Sequence, residues 1–107
     1  MGSTYAIEIS PTAFRCLKAI RDRKTQSEVR GAIDGLARRP ETQGKTLFKP
    51  LEGVRSIRAV RSRYRILYRV DSANKLVSIL LIGERRPGRE EDVYMVARRL
   101  VKLLLGN

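Results

Sequence analysis

Apolar residues alternate with small or polar ones at the start of the chain and then recur at helical spacing. The alternating apolar residues are Tyr5, Ile7 and Ile9, which predict a short strand with one buried face. Ser10-Pro11 then provides a helix start, because serine can accept hydrogen bonds from unpaired amides and proline fits the first helical position. The apolar residues of this predicted first helix are Phe14, Leu17 and Ile20.

A second helix is predicted directly after the first. Thr25-Gln26-Ser27-Glu28 matches a capping box, in which the first and fourth residues satisfy each other's backbone amides. The apolar residues that follow the capping box recur at helical spacing: Val29, Ile33 and Leu36. Pro40 ends the pattern. Two consecutive helices predict an antiparallel helical hairpin. Its apolar face must be buried against a sheet.

A pair of antiparallel strands is predicted at residues 56–60 and 64–70. A turn of even length centred on Ser62-Arg63 would place residue 58 opposite 67 and residue 60 opposite 65. One face would then hold the apolar residues Ile57, Ala59, Ile66, Tyr68 and Val70. The other face would hold Arg58, Arg65 and Arg69. A turn of odd length would force Arg65 among apolar side chains, so the even turn is favoured.

The remaining pattern predicts one more strand and one more helix. Residues 76–82 are a nearly continuous apolar run, typical of an interior strand, and Gly83 is interpreted as a turn residue that ends it. A basic loop follows at residues 84–89, and a last helix at 90–105. The order β-α-α-β-β-β-α predicts an α+β fold. In it a small antiparallel-rich sheet is packed by an N-terminal helical hairpin and a C-terminal helix, in a single domain over residues 1–107.

Composition narrows the classes of function. Lys and Arg number 23 against 11 Asp and Glu, and the resulting charge of +12 indicates nucleic acid, an acidic protein partner, or both. Histidine is absent and Cys16 is the single cysteine, which argues against imidazole catalysis, a zinc site and an intrachain disulfide. We therefore expect no metal and no cofactor. No signal-peptide pattern or membrane-length apolar run is present, which predicts a cytoplasmic protein without a membrane partner.

The candidate chemistry lies in two basic segments. Arginines crowd the strand pair at positions 55, 58, 61, 63, 65 and 69, and the loop at 84–89 adds three more. If the segments meet, Arg58, Arg65 and Arg85 line one concavity with Tyr94 beside them. Guanidinium groups bind phosphate through paired hydrogen bonds, and a tyrosine there can stack on a base, donate to a phosphate, or accept a proton if the arginines stabilise its phenolate. Charge pattern alone favours plain nucleic-acid binding over RNA cleavage.

Five motifs in this order carry a family resemblance. They are Pro50-Leu51-Glu52-Gly53, Ser56-Ile57-Arg58, Tyr64-Arg65-Ile66-Leu67-Tyr68-Arg69-Val70, Ile82-Gly83-Glu84-Arg85-Arg86 and Asp92-Val93-Tyr94. Together they resemble the RelE/ParE toxin superfamily, and its RelE branch most. The motifs are spread over residues 50–94, a little under half of the chain, and the predicted order of strands and helices covers nearly all of it.

That resemblance implies a toxin of a type II toxin-antitoxin pair. RelE-type members enter the ribosomal A site and cut mRNA there, by attack of a ribose 2′-hydroxyl on the adjacent phosphate. Carried over by position, Arg58 and Arg65 would hold and stabilise the scissile phosphate. Arg85 would lie near the leaving oxygen, and Tyr94 would stack on or orient the substrate. These four residues are the predicted catalytic set.

Four further residues are predicted to bind substrate: Lys49, Ser56, Arg61 and Arg63. Ser56 stands where some RelE toxins have a basic residue, and arginine at 58 stays protonated and is a poor base. Lys49 aligns near an acidic catalytic position of a related branch. Arg86-Pro87-Gly88 stands as an insertion between Arg85 and Tyr94. We therefore expect catalysis mainly by charge stabilisation and positioning.

The resemblance also implies partners and alternatives. The expected partners are a RelB-like antitoxin, the ribosome, mRNA and, through the antitoxin complex, operator DNA. A ParE-like toxin, which inhibits DNA gyrase without enzymatic activity, is the alternative, and its family lacks the arginine and tyrosine set. A third interpretation is a relative with weak catalytic activity that still binds the antitoxin and takes part in the operator complex.

Overall fold

The chain forms a five-stranded sheet with helices on both faces. The computed structural model describes residues 4–106, so residues 1–3 and 107 of the predicted single domain lie outside the described part. The elements are β1 (Ala6–Ile9), α1 (Pro11–Ala19), α2 (Arg23–Gly35), β2 (Lys45–Thr46), β3 (Arg55–Ala59), β4 (Tyr64–Asp71), β5 (Leu76–Glu84), α3 (Val93–Arg99) and α4 (Val101–Leu105). The predicted α+β class is confirmed, with the short β2 and a divided last helix as additions.

The strand order is β1-β5-β4-β3-β2. β1 pairs with β5 in parallel, and the three other pairs are antiparallel, so the sheet is antiparallel-rich as predicted. β4 and β5 are the longest strands and lie in the interior of the sheet. β3 lies beside β4 with only the two-residue β2 beyond it, which places the arginines of β3 near an edge of the sheet.

Each of the first two helices begins at a side-chain cap. Ser10 accepts a hydrogen bond from the amide of Ala13 at 3.0 Å, as predicted for the start of α1. The predicted start of the second helix at Thr25 is wrong. Asp22 is the cap, because its carboxylate accepts from both the amide and the hydroxyl of Thr25, at 2.9 and 2.7 Å. Thr25 therefore lies in the first turn of α2.

Two hydrophobic cores lie on opposite faces of the sheet. The first joins the helical hairpin to one face through residues that include Ala13, Leu17, Val29, Ile33, Ile66, Tyr68 and Ile79. The second joins α3 and α4 to the other face through Leu51, Val54, Leu67, Leu80, Leu81, Val93, Ala97 and Leu104. Phe14, predicted to face the core, is 48% exposed, because Ala13 and Leu17 form the face of α1 that meets the sheet.

The register of the arginine-rich strand pair differs from the prediction by two residues. Arg58 lies opposite Arg65, not opposite Leu67, and Ala59 lies opposite Tyr64. The turn is the four-residue segment 60–63, in which residues 60, 61 and 62 have positive φ values of 54°, 55° and 68°. A shift of two residues leaves every side chain on its predicted face. The division into an apolar face and an arginine face is therefore confirmed.

Gly83 is part of β5 and not a turn residue, so that interpretation is wrong. It pairs with Arg65, and a Cβ atom added at Gly83 would lie 3.1 Å from Cβ of Val93. The missing side chain lets α3 pack closely on the sheet. The last helix begins at Val93 and not at residue 90, because Asp92 caps it, and it is interrupted at Leu100.

Gly44→Ala is expected to destabilise the fold by about 2–4 kcal/mol, because it adds steric overlap to backbone strain. Gly44 has a φ of +62°, and an added Cβ would overlap the carbonyl oxygen of Ser56. Urea unfolding of both proteins measures the effect. Gly53→Ala is the matched control, because Gly53 also has a positive φ but no heavy atom lies near its would-be Cβ. Equal destabilisation by both variants would show that the overlap is unimportant.

Candidate active site

Arg58 and Arg65 face each other across β3 and β4 and line one open cavity of about 540 Å³. The same cavity is lined by Ser56 and by Tyr94 from α3. Arg58 is exposed, whereas only 9% of Arg65 is accessible to solvent. The strand pair and α3, which are far apart in sequence, thus bring Arg58, Arg65 and Tyr94 to one cavity. Arg85, predicted to share that concavity, lines a neighbouring cavity instead.

Arg65 is fixed by the turn that it follows. Its Nη1 donates to the carbonyl oxygens of Ser62 and Tyr64, at 2.6 and 3.3 Å. Within residues 4–106, neither Arg58 nor Arg65 forms an ion pair with a carboxylate. Two like charges directly opposite each other are mildly destabilising, and a bound anion removes that penalty. The pair is therefore suited to a phosphate group.

Tyr94 is held from two sides. Its hydroxyl lies 2.8 Å from Oγ of Ser56, in a hydrogen bond that either group can donate. On the ring face, the guanidinium carbon of Arg85 lies 5.0 Å from the ring centroid, within the range of a cation–π contact. The Arg86-Pro87-Gly88 segment therefore leaves Tyr94 beside the arginine pair.

Asp92 positions both Arg85 and Tyr94. It is 2% exposed, and one carboxylate oxygen accepts from Nη1 of Arg85 at 2.6 Å and from the amide of Arg86. The other oxygen accepts from the amide of Tyr94 at 3.1 Å, which caps α3. Burial by itself raises the pKa of Asp92, but the hydrogen bonds from Arg85, Arg86 and Tyr94 outweigh it and hold the pKa below its ordinary value.

Most of the chain is similar in sequence to known toxins. Residues 7–87 match the family model described as the ParE toxin of the type II toxin-antitoxin system parDE. Toxin RelG of Mycobacterium tuberculosis is 36% identical over 90 residues, which covers 84% of this chain and 95% of RelG. The chain belongs to the RelE/ParE toxin superfamily. It is a type II toxin-antitoxin toxin of that superfamily.

Two further similarities agree with this assignment. Toxin RelE of Mycobacterium tuberculosis is 32% identical over 81 residues, covering 76% of this chain and 81% of that protein. The crystal structure of the toxin-antitoxin complex RelBE2 from the same organism contains a chain that is 35% identical, with a TM-score of 0.65. That match covers 78% of this toxin and 93% of the other chain. The family-model match ends before Asp92 and Tyr94, so α3 of the toxin lies outside it.

The other predicted site residues of the toxin lie elsewhere. Lys49 is exposed in the loop before β3, and it does not line the arginine cavity. Arg61 and Arg63 lie in the turn of the strand pair, where Arg63 pairs with Glu84 at 3.5 Å. Only Ser56 of the predicted substrate-binding set lies in the cavity. The roles of all eight predicted residues stay predictions.

The sequence interpretation missed two residues of this toxin's site. Lys45, on β2, lines the arginine cavity. Its charge was visible in the sequence, but a two-residue strand gives no periodic pattern. Asp92 was not assigned to the site, although an aspartate before an apolar helical run is a signal for a helix cap.

Neither a metal site nor a membrane span is found among residues 4–106 of the toxin. That part of the chain contains no group of three His, Cys, Asp or Glu side chains that could hold a metal ion. None of its helices has both the length and the apolar character that crossing a bilayer requires.

The lowered pKa of Asp92 predicts a specific pH dependence of stability. Its stabilising contribution is complete above the unfolded-state pKa of about 3.9, and is lost as pH falls through the lower folded-state value. The difference in unfolding free energy between the wild-type toxin and Asp92→Asn should therefore shrink as pH falls below about 4. Urea unfolding at several pH values measures it, and a difference that stays constant with pH would contradict the assignment.

Proposed function

We propose that this toxin is a ribosome-dependent endoribonuclease that cuts mRNA in the A site and so inhibits translation. The observation that carries the proposal is the opposed pair of Arg58 and Arg65 in one open cavity with Tyr94. Similarity to the toxins RelG and RelE supports a RelE-type activity over gyrase inhibition.

In the proposed reaction, a ribose 2′-hydroxyl attacks the adjacent phosphorus. The O2′–P bond forms while the P–O5′ bond breaks, which leaves a 2′,3′-cyclic phosphate and a 5′-hydroxyl end. The 2′-hydroxyl proton passes to solvent, because arginine stays protonated and cannot accept it, and the leaving 5′-oxygen takes up a proton from solvent. No metal or cofactor takes part in this scheme.

The arginines contribute charge stabilisation. Negative charge grows on the phosphate oxygens as the phosphorus gains its fifth bond, and in this proposal Arg58 and Arg65 bind those oxygens. Their position opposite each other across β3 and β4 supports this role. Tyr94 orients the nucleotide, since its hydroxyl is fixed by Ser56 and its ring by Arg85. Arg85, which Asp92 holds beside that ring, stabilises the leaving oxygen. The ribosome supplies part of the substrate geometry.

The proposed partner is a RelB-like antitoxin. A net charge of +12 favours an acidic amphipathic segment that orders as it wraps the basic surface and covers exposed apolar side chains such as Leu103, which is 62% exposed. Such a segment could displace the C-terminal helix. The complex would bind operator DNA through the antitoxin. The proposed location is the cytoplasm, where ribosomes and mRNA are found.

Mapping mRNA 5′ ends by primer extension tests the proposed activity. Purified toxin is added to a translating extract and, in parallel, to the same mRNA without ribosomes. We expect new 5′ ends within A-site codons only when ribosomes are present. A folded toxin that cuts nothing but inhibits DNA supercoiling by gyrase would contradict the proposal and support the ParE-like alternative.

A further inference from the structure

A second cavity adjoins the arginine cavity. It has a volume of about 370 Å³ and shares Lys45 and Tyr94 with the arginine cavity. Phe48 and Met95 contribute apolar surface, and Arg98 contributes a further positive charge. A strand of nucleic acid bound at the arginine pair would pass Tyr94 and enter this second cavity.

Phe48 is the most exposed large apolar side chain among the described residues. It is 91% exposed, and Met95, which lines the same cavity, is 40% exposed. Burying a phenylalanine is favourable by about 1.5–3 kcal/mol, so a ring left in water has no role in the core. A ring in this position offers a face to another planar group.

The loop that carries Phe48 is anchored. The amide of Leu47 donates to the carbonyl of Val54 at 3.0 Å, and the amide of Leu51 donates to the carbonyl of Phe48 itself at 2.9 Å. Leu51 is 4% exposed and packs in the core beneath α3 and α4. The backbone around Phe48 is therefore held on both sides, and the ring is presented by a fixed support.

The electrostatic balance of the second cavity favours an anion. Lys45 and Arg98 are exposed at its wall. The one carboxylate in the lining, Asp92, is already bonded to Arg85 and to the backbone amides of Arg86 and Tyr94. A ligand that combines a planar ring with a negative charge matches these groups, and a nucleotide has both.

We propose that the second cavity binds one nucleotide of single-stranded RNA next to the scissile phosphate. The base stacks on Phe48, and Lys45 and Arg98 bind the flanking phosphate. This inference rests on the proposed function, because that function places an RNA strand across Tyr94. An acidic amphipathic peptide would also use these cations and cover Phe48. Lys45 and Tyr94, however, join this cavity to the arginine cavity, where the proposed substrate is RNA, so RNA is the favoured occupant.

Direct binding of a short RNA tests the inference without ribosomes or cleavage. Fluorescein-labelled hexa-adenylate is titrated with the toxin at low salt, and anisotropy gives the affinity. Phe48→Ala is expected to weaken binding about tenfold, because stacking one base on an aromatic ring contributes roughly that factor or more. Phe48→Tyr should restore binding. Phe14→Ala is the matched control, because Phe14 is also exposed but lies on α1, away from both cavities.

A fluorescence measurement gives a second readout. The chain has no tryptophan, so Phe48→Trp introduces a single reporter at the proposed stacking position. Hexa-adenylate should quench this reporter in a saturable way and leave a Phe14→Trp reporter unchanged. Equal RNA affinity of Phe48→Ala and wild type would overturn the inference. So would a Phe48-dependent affinity for hexaglutamate without one for RNA, which would assign the cavity to an acidic peptide.

The two assays distinguish a failure of the proposed function from a failure of the nucleotide site. If the proposed function fails, the wild-type toxin would produce no A-site cleavage in the translating extract, while Phe48-dependent binding of hexa-adenylate would persist. Conversely, A-site cleavage by a toxin whose RNA affinity does not depend on Phe48 would leave the proposed function standing and overturn only the nucleotide site.

Discussion

Replacing Arg58 with alanine is expected to slow ribosome-dependent mRNA cleavage about 100-fold or more, with the fold intact. The reason is that Arg58 is the exposed member of the opposed arginine pair and is free to reach the phosphate. Stability should not fall, because the substitution removes a like charge from a position directly opposite Arg65. Quantitative primer extension measures the cleavage rate, and urea unfolding measures the stability.

The matched control for Arg58→Ala is Arg69→Ala. Arg69 is an exposed arginine on β4, opposite Ser78 of β5, and it does not line the arginine cavity. Both variants lose one positive charge, so they weaken general attraction to the ribosome by similar amounts. A similar loss of cleavage in the two variants would mean that Arg58 acts only through net charge and not at the phosphate.

Asp92→Ala is expected to lower the free energy of unfolding by about 3–4 kcal/mol, because it combines the loss of a helix cap with a broken, largely buried ion pair. The substitution leaves the guanidinium of Arg85 and the amides of Arg86 and Tyr94 without their carboxylate acceptor. Urea unfolding measures the effect. Cleavage should fall as well, even under conditions where the variant is folded, since Arg85 and Tyr94 both lose the group that positions them.

Glu91→Ala is the control for this second substitution. Glu91 is the neighbouring acidic residue, and it pairs with Arg89 at the surface with a separation of 3.6 Å. Exposed ion pairs contribute about 0–1 kcal/mol, so this variant should unfold almost as the wild type does. If Asp92→Ala were no less stable than Glu91→Ala, the proposed organising role of Asp92 would be wrong.

Membership of the RelE/ParE superfamily leaves the chemistry to individual side chains. The family model that matches the chain is that of the ParE toxin, whereas the similar proteins are the toxins RelG and RelE. One fold can support unrelated activities, so the backbone does not decide between mRNA cleavage and gyrase inhibition. The proposed nuclease activity rests on the arginine pair and on Tyr94, and the variants above test those residues directly.

Local patterns in the sequence were sufficient for most of the elements. Alternation in β1, the Ser10 cap and the apolar spacing of α2 each depend on neighbours within a few residues, so they can be interpreted without the fold. The division of β3 and β4 into an apolar face and an arginine face also followed from the sequence. That division depends only on whether the turn has an odd or even length, and it tolerates a register shift of two.

The sequence by itself determined the charge of the protein, its α+β class and the side of the sheet that carries the arginines. Only the tertiary structure decided that Arg58 lies opposite Arg65, that Ser56 meets Tyr94, and that Asp92 holds Arg85. Those contacts join residues from different elements. Their distances depend on the turn geometry of the strand pair and on the close packing of α3 against Gly83, which no local pattern specifies.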